Sequence, residues 1–454
     1  MAVTEHVLSD AFVDSIKSAI AEKDSGGLSR LIDELRPADL ADLIEHLDRG
    51  ERLFVFDLLE PEGAGEVLVE IEPPIQESIL SSLDNQAISE IVQELDSDDA
   101  ADLVGDLPEY RAVEILGSLE EEVSGELEKL LPYEDDTAGG LMALEFVAVR
   151  SSATVQEAID RIREKQEDVE NLYYLFAMDD DGRLAGVVSL KDLVLAPANS
   201  LVSEIMNPEV ISVNVHVDQE EVAHLFMKYD LVSIPVVDDL NRLVGRITHD
   251  DIMDVIEDEA DEDIALMGGV IRAEITEESP MRISRARLPW LVAGLFGGVL
   301  AAFVINQFEA SLERVLALSF FFPVIMAMGG NTGTQAATVA VRGLATGDIS
   351  MVNIGRRLWL EMKVALFNGI ICGVLLGLIV GTWLSDFVLG GIVALALVLI
   401  ILNSGFIGAA IPFAFKKMNV DPALATGPFV TTSNDILALF IYLGMVTLFL
   451  HLMG

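Results

Sequence analysis

The chain has 454 residues, a formal net charge of −47 and one cysteine, Cys372, inside an apolar run. Charge this negative is repelled by nucleic acid and anionic headgroups, and a single cysteine excludes a disulfide framework or Cys-based zinc site within one chain. From Leu288 onward seven acidic residues meet seven basic ones, so the whole excess lies before Leu288. The reading is a multidomain membrane protein whose first 287 residues are a cytoplasmic store of carboxylates. Its start is acidic and polar, which predicts no cleavable signal peptide.

Residues 1–138 form an acidic N-terminal domain with an internal repeat. Leu35, Leu47, Leu59, Ile71, Leu83, Leu95, Leu107, Leu119 and Leu131 recur every 12 residues. Twelve residues hold one short helix and a turn, whose polar start supplies N-caps. Stacking such units gives an α-helical repeat solenoid. Pro37, Pro61, Pro73, Pro74 and Pro108 interrupt the pattern and argue against one long coiled coil.

Residues 139–257 carry two copies of a second pattern, about 59 residues apart. Each reads as an amphipathic helix (155–165 and 219–229), a strand, a tight polar turn, a strand and a helix. The copies end in Gly186/Ser189/Asp192 and Gly245/Thr248/Asp251. This resembles a tandem CBS (α/β) pair. The resemblance implies that Ser189, Asp192, Thr248 and Asp251 can hold the ribose and phosphate of an adenine nucleotide such as ATP. Ser189 and Thr248 also suit plain helix N-caps.

Residues 258–287 form a connector with an acidic start, Asp258 to Asp263, and a basic end, Arg282, Arg285 and Arg287. Residues 288–454 then hold five apolar stretches: 288–308, 315–341, 358–384, 387–413 and 423–451. Each is long enough for a ~30 Å hydrocarbon core, which needs ~20 helical residues. The basic clusters before span one, between spans two and three, and between spans four and five fall on one side, which should be the cytoplasm. The N-terminus is then inside and the C-terminus outside. In span three, Gly369, Gly373, Gly377 and Gly381 make a smooth face for helix contact.

The chemistry concentrates in spans two and five. Span two holds Gly329-Gly330-Asn331-Thr332-Gly333-Thr334-Gln335, and span five holds Gly427-Pro428, then Thr431-Thr432-Ser433-Asn434-Asp435. Both runs are expected to interrupt their helices, since irregular backbone at membrane depth survives where it lines a cavity or packs on protein. Asp435 has no basic neighbour in sequence, and an isolated carboxylate in a bilayer costs at least ~2.5–3.5 kcal/mol. Carbonyls, hydroxyls, amides and one carboxylate suit a hard cation such as Mg2+, and no Cys, Met or His accompanies Asp435 for a softer metal.

The order of acidic helical repeat, CBS pair, acidic connector, five spans, Gly-Gly-Asn-Thr-Gly and Asp-Pro-Ala…Thr-Thr-x-x-Asp resembles the MgtE magnesium transporters over nearly the whole chain. The resemblance implies a homodimeric, Mg2+-selective, channel-like transporter in the bacterial plasma (inner) membrane. It implies a pore lined by spans two and five of both subunits, with Asp435 as the pore aspartate. The connector would be a plug helix that closes the pore when cytoplasmic Mg2+ is high. Asn331, Thr334, Gln335 and Asn434 are the accompanying candidates. Thr334 stands where relatives often have Asn.

Regulatory ligands are sought by spacing. Asp98 and Asp102 share a helix face at i and i+4, as do Asp250 and Asp254, with Glu257, Asp258, Glu259 and Asp263 following. Glu220 and Asp230 lie on the second CBS copy. Each pair also reads as a solvated acidic face. An enzyme is disfavoured: no Gly-Lys-Ser/Thr phosphate loop or His-x-x-x-His pair occurs. Two readings stay open beside Mg2+ transport: a CBS-regulated carrier of another divalent cation such as Co2+, and a membrane-anchored cation sensor without transport.

Overall fold

The structure, a computed structural model, describes residues 10–33, 35–165, 172–270, 279–349 and 351–453. The first nine residues of the N-terminal domain and residues 271–278 of the connector lie outside the described residues. The chain divides into two compact units, Met1–Glu257 and Asp258–Gly454.

The first unit opens with short helices: α1 (Asp10–Glu22), α2 (Ser25–Ile32), α3 (Pro37–Glu45), α4 (Arg49–Phe56), α5 (Pro61–Val69), α6 (Pro73–Leu80), α7 (Asn85–Val92), α8 (Ser97–Gly105), α9 (Glu109–Leu116) and α10 (Glu121–Leu130). The prolines are starts rather than breaks. Pro37, Pro61 and Pro73 occupy the first turn, where the missing N–H has no intrahelical partner to lose. Asp24, Asp48 and Asp84 cap their helices through side-chain oxygens, Asp48 in a reciprocal capping box with Glu51. Helix α3 packs on α5, α5 on α7 and α7 on α9, while α4 packs on α6 and α8 on α10. The pairs Leu43/Ile44, Val55/Phe56, Val67/Leu68, Ile79/Leu80, Ile91/Val92 and Leu103/Val104 are all buried. They keep the twelve-residue period but sit eight to nine residues after the leucines that announced it, which fall at the turns.

The CBS pair follows as two alike copies. The first has β1 (Ala148–Arg150), α11 (Val155–Glu164), β2 (Tyr174–Met178), β3 (Leu184–Ser189), α12 (Leu190–Leu195) and α13 (Val202–Ile205). The second has β4 (Val213–Asn214), α14 (Gln219–Tyr229), β5 (Ser233–Val237), β6 (Leu243–Thr248) and α15 (His249–Gly268). In each sheet the first strand is parallel to the second and the second antiparallel to the third. The tight turns use Gly182 and Asn241 at φ +79° and +62°, the left-handed region that Gly and Asn tolerate. The first copy closes its own core around Leu175, Val188 and Val202. The second shares one core with the helical repeat, through Val236, Ile247 and Ile252.

The second unit takes in the end of α15, then α16 (Pro280–Gln307), α17 (Glu309–Arg314), a 3-10 turn at Leu316–Phe321, α18 (Phe322–Ala345), α19 (Ile354–Trp383), α20 (Phe387–Lys417) and α21 (Pro428–Met453). Among the described residues, five helical stretches are long and apolar enough to cross a membrane. Helix α18 packs on α20 and α21, and α16 packs on α21. Gly373 and Gly377 of α19 bring its backbone against Ala394 and Gly390 of α20, where an added Cβ would fall within 2.9 Å of their carbonyl oxygens. The expected interruption of span two is not found, because α18 runs unbroken through Gly329–Gln335. The glycines there serve close packing instead: a Cβ on Gly408 would strike the Gly333 carbonyl, and one on Gly333 would strike the Asn434 amide. The carbonyls stay in the helix and the missing side chains admit the neighbouring helices. Span five does break, with a 3-10 turn at Ala423–Ala425 before Pro428 starts α21, but its Thr431–Asp435 run is helical.

Candidate cation sites

In the membrane unit, α18 and α21 place Asp435 against the glycine run. Its Oδ1 lies 3.9 Å from where a Cβ on Gly330 would stand, with Thr431 of the preceding turn equally near. Asp435 is half-buried. Asn331, Thr334 and Gln335 are exposed on α18. They follow Gly330 by one, four and five residues, so they extend one face of the helix from the place where the carboxylate sits. An exposed polar face on an otherwise apolar helix is expensive beside lipid and calls for a polar neighbour or water.

Asn434 is not on that face. It is fully buried inside the single chain, over Gly333 at the crossing of α18, α20 and α21. Adjacent helical residues point about 100° apart, so an Asp435 aimed at Gly330 turns Asn434 inward.

The start of α21 has a further neighbour. The carbonyl oxygens of Met267 and Leu266, at the end of α15, lie 3.3 and 3.5 Å from where a Cβ on Gly427 would stand. The α15 helix ends there with Gly269 in the left-handed region at φ +71°.

In the first unit the shared core draws carboxylates together. Helix α8 is anchored at its start by Ser97, whose hydroxyl donates to Glu145 Oε2 at 2.8 Å and accepts from the Leu144 N–H at 2.8 Å. Asp98 is consequently held well above the usual carboxylate range, by burial first and then by Asp99, Asp251 and Glu145. Asp99 and Asp102 are pushed up to about 7, again by burial first. Asp251, Asp96, Asp102 and Asp254 add to the effect at Asp99, and Asp135, Asp106 and Asp251 add to it at Asp102. Asp251 is also raised, by burial first and by Asp250, opposed by hydrogen bonds from Thr248 and by Arg246. Among the described residues no three acidic, His or Cys side chains converge closely enough to grip a metal ion. The arrangement is a crowded, mutually repelling set that a divalent cation could draw together.

Spacing found Asp98, Asp102 and Asp254 in this set. It missed Asp99 and Asp106, which lie on α8 or at its end, and Asp135 and Glu145, which reach it through tertiary packing, and it assigned Asp251 only to a nucleotide. Asp250 is exposed beside His249, with Nδ1 and Oδ1 3.5 Å apart. Glu220 is exposed in the first turn of α14, and Asp230 closes that helix in the left-handed conformation. Glu257 and Asp258 are exposed on α15, with Glu259 and Asp263 half-buried.

The two CBS endings differ. Ser189 caps α12 by accepting from the Asp192 N–H, and its hydroxyl donates to Asp192 Oδ2 at 2.6 Å in an exposed setting. The Thr248 N–H and hydroxyl both donate to Asp251 Oδ2, at 3.1 and 2.8 Å, in a part-buried one. Only the second carboxylate belongs to the acidic set.

Comparison with known proteins covers both units. The family model described as "Divalent cation transporter" matches residues 322–445, "MgtE intracellular N domain" matches 35–136, and "CBS domain" matches 138–199 and 202–258. The chain is 39% identical to the magnesium transporter MgtE of Thermus thermophilus over 96% of this chain and 98% of that one. It is 35% identical to the magnesium transporter MgtE of Bacillus subtilis over 93% of each. Among solved structures it is similar to the cytosolic domain of the Mg2+ channel MgtE in complex with ATP. That match has 40% identity and a TM-score of 0.51, covering 54% of this chain and 99% of the other.

Proposed function

This chain belongs to the MgtE family of magnesium transporters, and from that premise we propose that it conducts Mg2+ past Asp435 and closes when its acidic cytosolic portion binds Mg2+. The observation that carries this reading is the Asp435 carboxylate beside Gly330, at the edge of the exposed face of Asn331, Thr334 and Gln335.

The chemistry follows from the ion. Mg2+ sheds water reluctantly, so a carboxylate and neighbouring amide and hydroxyl oxygens hold it best through retained waters. One carboxylate only half-balances a divalent charge. A second copy across a two-fold axis would cover the exposed polar face and supply a second Asp435, which makes the working unit a homodimer. The basic residues at one end of the spans orient the N-terminus to the cytoplasm, with the protein in the plasma membrane.

Gating follows from the crowded carboxylates. Asp98, Asp99, Asp102, Asp251 and Asp254 repel one another, and Mg2+ between them favours the compact arrangement. Helix α15 carries Asp251 and Asp254 at its start and meets Gly427 with its final carbonyls, which supports its role as the plug. Glu257, Asp258, Glu259 and Asp263 on the same helix can join the response. The half-buried Ser189 and exposed Asp192 are better placed than Thr248 and Asp251 to meet the ribose or phosphate of ATP, since Asp251 faces the acidic set.

Purified protein in liposomes tests the proposal. Mg2+ influx that is lost in Asp435→Ala, and suppressed by Mg2+ on the cytoplasmic face, is the expected result. Equal flux in wild type and Asp435→Ala would remove Asp435 from the path. Absence of any divalent flux would leave the membrane-anchored sensor, and preference for Co2+ over Mg2+ would reassign the cargo.

A further inference from the structure

Asn434 Oδ1, Asn434 Nδ2 and Ser404 Oγ make no hydrogen bond to protein, although Asn434 is 0% and Ser404 1% exposed. Both lie at the α18–α20–α21 crossing. Ser404 Oγ stands 3.4 Å from where a Cβ on Gly329 would be, and the Asn434 amide lies over Gly333 one turn further along α18. The glycines keep this crossing free of side chains on the α18 side. A buried amide with neither donor nor acceptor matched is destabilising in any low-dielectric interior, and within a membrane no bulk water relieves it.

The orphaned atoms specify their ligand. Asn434 offers an acceptor and a two-proton donor, and Ser404 offers a hydroxyl that does either. A metal cation would satisfy the oxygens and leave Nδ2 facing positive charge. An anion would satisfy Nδ2 and repel Oδ1. Water, which both donates and accepts, matches each of the three atoms, as buried waters do where otherwise unmatched polar groups gather. We propose that Asn434 and Ser404 hold an internal water site, of one or two molecules, that joins α21 to α20 behind the face carrying Asp435. The site lies within one protomer and stands whether or not Asp435 lines the conduction path.

The test uses full-length protein in detergent. Asn434→Leu keeps the size of the side chain and removes its polarity, and Ser404→Ala removes the hydroxyl. If the two side chains share water, each variant lowers the melting midpoint by roughly 2–4 °C, and the double variant costs clearly less than the sum, as expected for groups acting through one partner. A map of the wild-type protein that resolves ordered water should show density within hydrogen-bond reach of Asn434 and Ser404. A rise in midpoint for Asn434→Leu would mean that the amide is simply an unrelieved cost, which overturns the proposal. So would strictly additive losses, or a map in which the Asn434 amide bonds directly to a backbone carbonyl with no density between it and Ser404. Should Asn434→Leu fail to fold, Ser404→Ala and the map still decide the question.

Discussion

The Asp435 carboxylate lies 3.9 Å from the point that a Cβ on Gly330 would occupy, so the charge of α21 and the bare backbone of α18 form one feature. Asp435→Ala should reduce Mg2+ uptake into liposomes to the level of empty vesicles. Asp435→Asn should keep part of the flux and lose preference for divalent over monovalent cations, because it removes the charge and keeps the oxygen. Gly330→Val should reduce flux with the charge intact, since the added methyl groups occupy the space beside the carboxylate. Full flux in Gly330→Val would show that this space is not part of the path.

Ser97 ties α8 to the loop leading into the CBS pair through Glu145 and Leu144. Ser97→Ala leaves the part-buried Leu144 N–H without its acceptor and Glu145 with only the Ser97 backbone N–H, a loss on the order of 1–3 kcal/mol. The variant should melt earlier and need more Mg2+ to reach the same protease resistance. An unchanged midpoint together with an unchanged Mg2+ requirement would mean that α8 is positioned by its apolar face alone.

The repeat and the CBS copies were legible because each is periodic. Leu47 and Ile71 mark turns, and the core pairs such as Leu43/Ile44 inherit the same spacing. Ser189 and Thr248 were legible as cap positions because a hydroxyl three residues before a carboxylate is a local signal. The continuity of α18 was not. Helix propensity treats Gly329-Gly330 and Gly333 as weaknesses, whereas contact with Gly408 and Asn434 turns them into a packing surface. Nor was the acidic set, since Asp135 and Glu145 come from turns and loops and meet Asp98 and Asp102 only through the core that the second CBS copy shares with the repeat. Asn434 was read from its neighbour Asp435, and one step along a helix was enough to point it elsewhere.

The glycine crossing should tolerate little. Gly408→Ala drives a methyl into the Gly333 carbonyl, and backbone cannot move aside as a flexible side chain can. Overpacking of this kind costs about 1–3 kcal/mol. The variant should lower thermal stability in detergent, while Gly391→Ala on the same helix, with open space around it, should not. Equal midpoints for the two variants would contradict the close approach of α18 and α20.

The acidic set also fixes a pH dependence. In unfolded chain these carboxylates titrate near ~4, while burial and then neighbouring carboxylates push Asp99 and Asp102 up to about 7 in the folded unit. The folded values are raised, so the folded state is favoured least where the unfolded chain has lost its protons and the folded one is forced to ionise. Without divalent cations, resistance of the cytosolic portion to protease should fall as pH rises from about 4 to about 7. Mg2+ should restore it at the upper end, and NaCl of equal ionic strength should restore much less, because screening is common to both salts. Resistance that stays flat over this interval would contradict the raised values.

Position within the set separates ligands from bystanders. Asp251 acts on the buried Asp99, whereas Asp250, which acts on Asp251 from the rim, is exposed beside His249. Replacing Asp99 and Asp251 with Asn does two things at once: it removes repulsion, which favours the compact form without Mg2+, and it removes ligands, which weakens the gain from Mg2+. Both changes flatten the response, so protease resistance with and without Mg2+ should converge in Asp99→Asn/Asp251→Asn. Asp250→Asn should keep a response close to wild type. Limited proteolysis across a Mg2+ titration measures this directly. A wild-type response in the double variant, paired with a flattened one in Asp250→Asn, would move the sensing site to the solvent face of α15 and leave the carboxylates around α8 as a folding feature.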